Sequence, residues 1–363
     1  MENVNLGEIF EYLPKSKFKA GDGKERGKYK FFTSSNVQNK FIDEFVYDGE
    51  YLIFGTGGKA SINYCKGKFA TSTDNFVVKV DKEFSTKLIF LYFKNDMQKL
   101  EKGFKGASIK HISKEYINQL SIPKYDYKQQ LNIVNKLDKV QEIIDIRNKQ
   151  IEQLDELIKS QFVEMFGSIK DSKWKKEKLE DITEKITDGK HGGCQSEENS
   201  GYYFIGATEI YNDKINYESS NQITKKDFEK DYTRCDLKLD DFVIVNTGAT
   251  IGKSAIVVDE RCKNTLLQKS VALIRVKKGK ILPIYLKYCY EEEPSLYSKG
   301  QGCARINLLL SQIRNTDIPI PPIELQNKFA EFVKQIDKQK FEIQRSLEET
   351  QKLQESLMNK YFG

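Results

Sequence analysis

Two stretches of the chain carry apolar residues at alternating spacings of three and four. In Gln129–Phe166 the series is Ile133, Leu137, Val140, Ile144, Arg147, Ile151, Leu154, Ile158, Gln161 and Met165. In Leu325–Phe362 it is Phe329, Val333, Ile336, Lys340, Ile343, Leu347, Thr350, Gln354, Leu357 and Tyr361. Neither stretch contains proline or internal glycine, and both are rich in Glu, Lys, Gln and Leu, which favour helix. A heptad seam this long predicts two helices of about 50 Å each that pair with one another as an antiparallel coiled coil. Two separate dimerisation helices joining different chains are the alternative. The seam has polar interruptions in complementary places: Arg147 stands where the other copy has Ile343, and Lys340, Thr350 and Gln354 stand where the first has Ile144, Leu154 and Ile158. Such residues cost stability but specify register and partner. Each helix ends in Phe-Gly, with the glycine where a left-handed cap belongs, and each follows an Ile-Pro that stops the preceding strand.

The remaining sequence has a shorter period. Runs such as Phe45–Phe54, Asn75–Val80, Tyr202–Gly206, Asp241–Val245, Ser254–Val258 and Ser270–Val276 are β-rich and bounded by glycine-containing turns, while Lys87–Lys102 has a helical pattern. The bodies therefore read as α/β or α+β domains with a strongly bent sheet. The predicted organisation is a domain over 1–128, a long helix over 129–167, a second domain over 168–324 and a second long helix over 325–363.

The chain also repeats itself, which fixes this architecture more firmly than any local pattern. Tyr51–Ile62 matches Phe242–Ile256 through an apolar run, Thr-Gly and Gly-Lys; Gly106–Pro123 matches Gly302–Pro321; Gln130 matches Gln326; and Ser160–Gly167 matches Ser356–Gly363. From Pro123 and Pro319 onward the offset stays at 196, while earlier it drifts, as loop insertions would make it. Constant helices carrying variable bodies suit a recognition protein, and they imply an internal pseudo-twofold repeat.

Composition narrows the class. With 39% hydrophobic and 31% charged residues the chain is neither a membrane protein nor disordered, and no apolar run approaches the roughly 20 residues a bilayer requires. The N-terminal segment lacks the pattern of a secretory signal, so a cytoplasmic location is expected. Cys65, Cys194, Cys235, Cys262, Cys289 and Cys303 form no CxxC, and His111 and His191 are the only histidines, so free thiols and no metal site are expected. A net charge of +6 permits a local basic groove without requiring one.

Thr247–Ser254, after the Asp241–Val245 run, resembles a phosphate-binding P-loop. The pattern demands glycine where Thr247 stands and a helix opening at Ser254, whereas a β-rich run follows. Lys59 and Lys253, on equivalent hairpins, are instead suited to a phosphate backbone. No aminomethyltransferase tetrapeptide, GxSxG or HExxH is present, and no pair of carboxylates stands out for acid–base work. A non-catalytic subunit without cofactor is expected. A nucleotide-dependent DNA enzyme built on 247–254 and a structural coiled-coil adaptor are the competing readings.

Taken together, the duplicated body–helix plan, Trp174–Gly193, the strand and hairpin Asp241–Val257, and the run from Gly302 through Ile318-Pro319-Ile320-Pro321-Pro322 to Gln326 resemble the specificity subunits of type I restriction-modification systems. The resemblance covers essentially the whole chain. It implies two target-recognition domains, each contacting one half of a bipartite double-stranded DNA target, with the helices setting the spacing. It further implies that two methyltransferase subunits dock on the helices and that restriction subunits complete the complex. Methyl donor, ATP and metal would belong to those partners. The chain departs from the family pattern in its first half, where Lys17–Gly27 replaces a counterpart of Asp188–His191 and Asp126-Tyr127-Lys128 replaces the proline-rich run.

Side-chain chemistry then selects candidate DNA contacts, since Lys, Arg, Ser and Thr suit phosphates and Asn, Gln, Arg, Lys and His read base edges. These are Lys59, Ser61, Ser108, Lys110, Lys190, His191, Asn246, Thr250, Lys253, Gln301 and Arg305. The predicted helix-pair seam centres on Leu137, Ile144, Ile151, Ile158, Val333, Ile336, Ile343, Leu347 and Leu357.

Overall fold

The computed structural model describes residues 2–106, 110–297 and 307–363. Two compact units emerge: Met1–Lys149 with Gln344–Gly363, and Gln150–Ile343. The boundaries fall inside the long helices, so each helix contributes residues to both units.

In the first unit six strands order as Phe10–Tyr12, Asn75–Val80, Tyr47–Gly55, Ser61–Thr71, Tyr29–Phe32 and Lys40–Ile42. All neighbours are antiparallel except Tyr29–Phe32, which lies parallel to the end of Ser61–Thr71. Ser61–Thr71 pairs along most of its length with Tyr47–Gly55 and, at Phe69–Thr71, with Tyr29–Phe32. Leu52, Phe54, Val78, Ile89, Phe93 and Ile117 are buried in one cluster, and Phe32, Ile53, Phe69 and Val77 in another. The helical pattern after Lys87 resolves into two helices, Thr86–Asn95 and Gln98–Glu101.

The second unit keeps this scheme with its sheet split. Thr183–Asp188, Val271–Val276, Phe242–Val245 and Ser254–Ile256 form an antiparallel sheet, and Asn221–Gln222, Tyr203–Ile205 and Thr265–Leu267 form another. Tyr203–Ile205 runs parallel to Thr265–Leu267, as Tyr29–Phe32 does to Phe69–Thr71 in the first unit. Both units thus mix helix with mainly antiparallel sheet.

The long helices span Tyr127–Phe166 and Ile323–Phe362, each starting two residues before the heptad pattern. The first start is explained by Asp126, whose Oδ1 accepts from the Gln129 amide at 2.8 Å while Gln129 Oε1 accepts from the Asp126 amide at 3.3 Å, a reciprocal cap. Gly167 closes this helix with φ +75° and an amide bond to the Val163 carbonyl, the left-handed cap that the Phe-Gly ending predicts. Within the first unit the helix halves run in opposite directions: Tyr125 Oη donates to the Tyr361 carbonyl, Gln354 Nε2 to Gln141 Oε1, and Arg147 to the Ser346 carbonyl and Thr350 Oγ1. Within the second, Lys340 pairs with Asp155, and Phe329 packs on Phe162 and Phe166 with ring centres 5.4 and 5.5 Å apart. The polar interruptions of the seam thus find partners on the facing helix. Leu137, Ile144, Ile158, Val333, Ile336 and Leu347 are buried, whereas Ile151, Ile343 and Leu357 are half-buried.

A buried glutamine fastens each body to its helix. Gln130 accepts from the Ser85 amide at 2.6 Å and donates to the Glu83 and Tyr125 carbonyls; Gln326 accepts from the Leu282 amide at 2.9 Å and donates to the Lys280 and Pro321 carbonyls. In each case the glutamine side chain is itself buried and its amide is spent on three backbone groups in the same pattern, so the junction is held the same in both units while the body beyond it varies.

Candidate nucleic-acid interface

In each unit several loops meet around a short connection between strands. In the first unit the connection is Ser72–Asp74, between Thr71 and Asn75. The Ser72 amide donates to the Phe32 carbonyl at 2.8 Å, the Thr73 amide to the Phe18 carbonyl at 2.8 Å, and the Asp74 carbonyl accepts from the Thr56 amide at 2.9 Å. In the second unit the connection is Gln268–Ser270, and its three bonds have the same pattern: Gln268 to the Ile205 carbonyl at 2.8 Å, Lys269 to the Lys190 carbonyl at 3.0 Å, and the Asn246 amide to the Ser270 carbonyl at 3.0 Å. The loop past the hairpin closes the cluster likewise, with Gly57 bridged to His111 and Thr247 to Asn307.

These bonds align the two loop ends residue by residue. Phe18 occupies the place of Lys190, so the counterpart missing from the sequence pattern of the first half is Phe18-Lys19, displaced by the drift in offset. They also revise the hairpin match. Gly55 and Val245 face Asn75 and Val271, and across the hairpin Gly55 faces Ser61 whereas the Val245 amide donates to the Lys253 carbonyl. Lys253 therefore shares the register of Ser61, and Lys59 lies within the turn. The P-loop resemblance ends here as well, because Ser254 opens a strand that pairs with Phe242–Val245 and supplies no helix N-terminus for a phosphate.

Of the residues selected from sequence, Lys59, Lys110, His191 and Lys253 are exposed and Thr250 is half-buried. Lys59 and Lys110 are brought together by the Gly58 amide bond to the Lys110 carbonyl at 3.1 Å. Lys190 is less available: its side chain is 13% exposed and pairs with Asp231, a bond that raises the ammonium above its ordinary pKa. His191 stands 3.7 Å from Asp188, which also takes Arg234 at 2.5 Å. Ser61 and Asn246 are the least accessible of the candidates, being 3% and 5% exposed. Ser61 Oγ turns onto Gly55, where a Cβ would lie 2.0 Å away, so glycine is required there and the hydroxyl faces the sheet rather than solvent. Asn246 acts through its backbone, which bonds Ser270 and Leu308. Ser108, Gln301 and Arg305 lie outside the described residues.

Sequence inspection passed over two features. Lys15, Lys17, Lys19, Lys24, Arg26, Lys28 and Lys30 are all exposed along the segment that contains Phe18. Lys24 pairs with Asp43 at 3.1 Å and holds that carboxyl below its ordinary pKa. Their density was visible as a charge run, but nothing in sequence ties that run to the loop end. The second is the connection at Thr73 and Lys269, which reads as an ordinary turn. Among the described residues no group of three or more His, Cys, Asp or Glu side chains could hold a metal ion, and no helix is long and apolar enough to cross a membrane. The described cysteines, Cys65, Cys194, Cys235, Cys262 and Cys289, are free thiols.

The loop end built twice by the same bonds, each time on a mixed helix and sheet unit joined to a long helix, defines a chain of two repeated domains. Comparison with known proteins specifies it further: the model of the type I restriction modification DNA specificity domain matches residues 1–156 and again 171–354, and the chain belongs to that family. The MjaVIII specificity subunit of a type I restriction enzyme from Methanocaldococcus jannaschii is 23% identical over 393 aligned positions, which cover 99% of this chain and 91% of that one. The EcoDI specificity subunit from Escherichia coli is 25% identical over 160 residues, 44% of this chain and 35% of the relative, so that match spans about a third of the E. coli protein. Among solved structures, the S subunit of a type I restriction-modification system from M. genitalium superposes with a TM-score of 0.64 at 16% identity, covering 100% of this chain and 96% of that one. A chain from work on complex assembly and conformational transition of the type I system gives 0.56 at 16% identity, covering 99% and 97%. These likenesses establish a shared fold.

Proposed function

We propose that the chain is the non-catalytic, sequence-reading subunit of a type I restriction-modification complex. The two bodies, 1–128 and 168–324, act as target-recognition domains, each reading one half of a bipartite double-stranded target. The helices, 129–167 and 325–363, pair as an antiparallel coiled coil related by a pseudo-twofold axis and set the distance between the half-sites. The observation that carries this reading is the loop end built twice by the same three backbone bonds with different side chains upon it. A scaffold held constant while its surface chemistry changes is what reading two different half-sites requires.

The spacing role is supported by the helices' unbroken 40 residues each and by the polar pairs Arg147–Thr350 and Lys340–Asp155. Methyltransferase docking is supported by apolar side chains left uncovered on the helices, among them Ile146 at 51%, Leu353 at 51% and Phe341 at 68% exposure. Two methyltransferase subunits take these faces, restriction subunits join the assembled complex, and the partners supply methyl donor, ATP and metal. The complex works in the cytoplasm, where its DNA is. Lys59, Lys110, His191, Thr250 and Lys253 remain the proposed DNA contacts at the loop ends. The test is selection from a random duplex pool by the full chain with its methyltransferase subunits. Two short specified elements separated by an unspecified gap support the reading, and enrichment of a single continuous element or of none contradicts it.

The exposed cations of the first unit carry a separate expectation. Replacing Lys17, Lys19 and Lys59 with glutamine flattens the dependence of log affinity on log salt by about 0.9 for each phosphate left without its lysine, while the selected bases stay the same. Binding titrations across salt concentrations measure it. An unchanged slope would remove these lysines from the interface.

A further inference from the structure

The connections Ser72–Asp74 and Gln268–Ser270 hold the centre of their loop ends. Each is bonded through its backbone to the last residue of the parallel strand, to the segment at Phe18 or Lys190, and to the hairpin. Main-chain atoms make all three bonds; the Ser72 hydroxyl has a structural partner of its own in Asn75 Nδ2 at 2.9 Å, but the central side chains, Thr73 and Lys269, take no part in the three bonds and can differ without disturbing them. They do differ: Ser-Thr-Asp in one unit is replaced by Gln-Lys-Ser in the other.

The second unit shows which side chain is available. Gln268 folds inward over Gly206, where a Cβ would meet its Oε1 at 2.5 Å, so glycine at 206 makes room for it. Lys190, adjacent across the backbone bond, is held by Asp231 and is largely covered. Lys269 is exposed, and among the described residues no hydrogen bond or ion pair engages its ammonium. It is the uncommitted cation beside a committed one. In the first unit the equivalent residue is Thr73, half-buried, with a hydroxyl and a methyl group to offer.

We propose that Thr73 and Lys269 are specificity-determining residues of their respective units, each contacting base edges from the centre of its loop end. This rests on the DNA-reading function proposed above. A lysine at such a position donates to the O6 and N7 acceptors of guanine in the major groove; a threonine offers its methyl group to thymine or its hydroxyl to either polar edge. The short tether fixes where the side chain starts, so its chemistry decides which base is accepted.

The test uses the full chain with its methyltransferase subunits and random-duplex selection on wild type, Lys269→Thr, Lys269→Arg and Thr73→Lys. Lys269→Thr loses about tenfold in discrimination at one position of one half-site and leaves the other half untouched, the size of effect expected when a lysine–guanine pairing is removed. Lys269→Arg retains the wild-type base, and Thr73→Lys alters only the opposite half-site. A wild-type protein that selects a split motif while Lys269→Thr and Thr73→Lys select the same motif overturns this proposal and leaves the DNA-reading function standing. A uniform loss of affinity with a shallower salt dependence also overturns it, because Lys269 would then meet a phosphate. A wild-type protein that selects no split motif fails the underlying reading first.

Discussion

Replacing Phe162 with alanine lowers the unfolding free energy by about 3–5 kcal/mol, the usual cost of emptying a large aromatic site in a close-packed core. Phe162 is fully buried and lies within 5.0–6.1 Å, centre to centre, of the rings of Phe166, Tyr285, Tyr288 and Phe329. It belongs to both long-helix packing and the body's core in the second unit, so neither can close over the cavity without disturbing the other. Val163, the next residue, is 49% exposed, and Val163→Ala shifts stability by less than about 0.5 kcal/mol. Urea titration measures both. The expected result is a lower midpoint for Phe162→Ala at an unchanged denaturant slope. A loss below about 1 kcal/mol would show that the helix is not seated on this body as described.

What was legible in the sequence had a local period or an internal copy. The heptad seam from Ile133 to Met165 could be read because helical contacts recur every three to four residues, and the repeat exposed the junction glutamines Gln130 and Gln326. The P-loop could be set aside because an apolar run follows Lys253. What escaped depends on partners far along the chain. Lys190 looks free until Asp231, 41 positions later, is placed against it. Ser61 looks like a turn residue until the strand register turns its hydroxyl onto Gly55. The equivalence of Phe18 with Lys190 is hidden because insertions change the offset just where backbone bonds keep the geometry constant. Lys269 escaped for the opposite reason: its neighbours Gln268 and Ser270 suit any surface turn, and only the three bonds show that this turn is the middle of the cluster.

Adding seven residues to both long helices, after Lys149 and after Ile343, lengthens the unspecified centre of the target without changing the specified bases. One heptad preserves the seam's phase and adds about 10 Å of helix, corresponding to roughly three base pairs at full transmission of the rise. Adding the same number to both helices keeps Arg147 facing Thr350 and Asp155 facing Lys340. Mapping of methylated sites in cells carrying the lengthened subunit reads the gap directly. Altered outer bases with the original gap would show that the helices do not measure distance.

Independent reading of one half-site by each unit is tested most directly by exchanging a single reader. Residues 168–318 are replaced by the corresponding reader of another family member whose split target is known, leaving both long helices in place. Methylation mapping then compares the two motifs. One half-site is expected to become the donor's while the other half, contributed by the first unit, is kept base for base. Simultaneous change of both halves, or retention of both, would show that the units do not read independently.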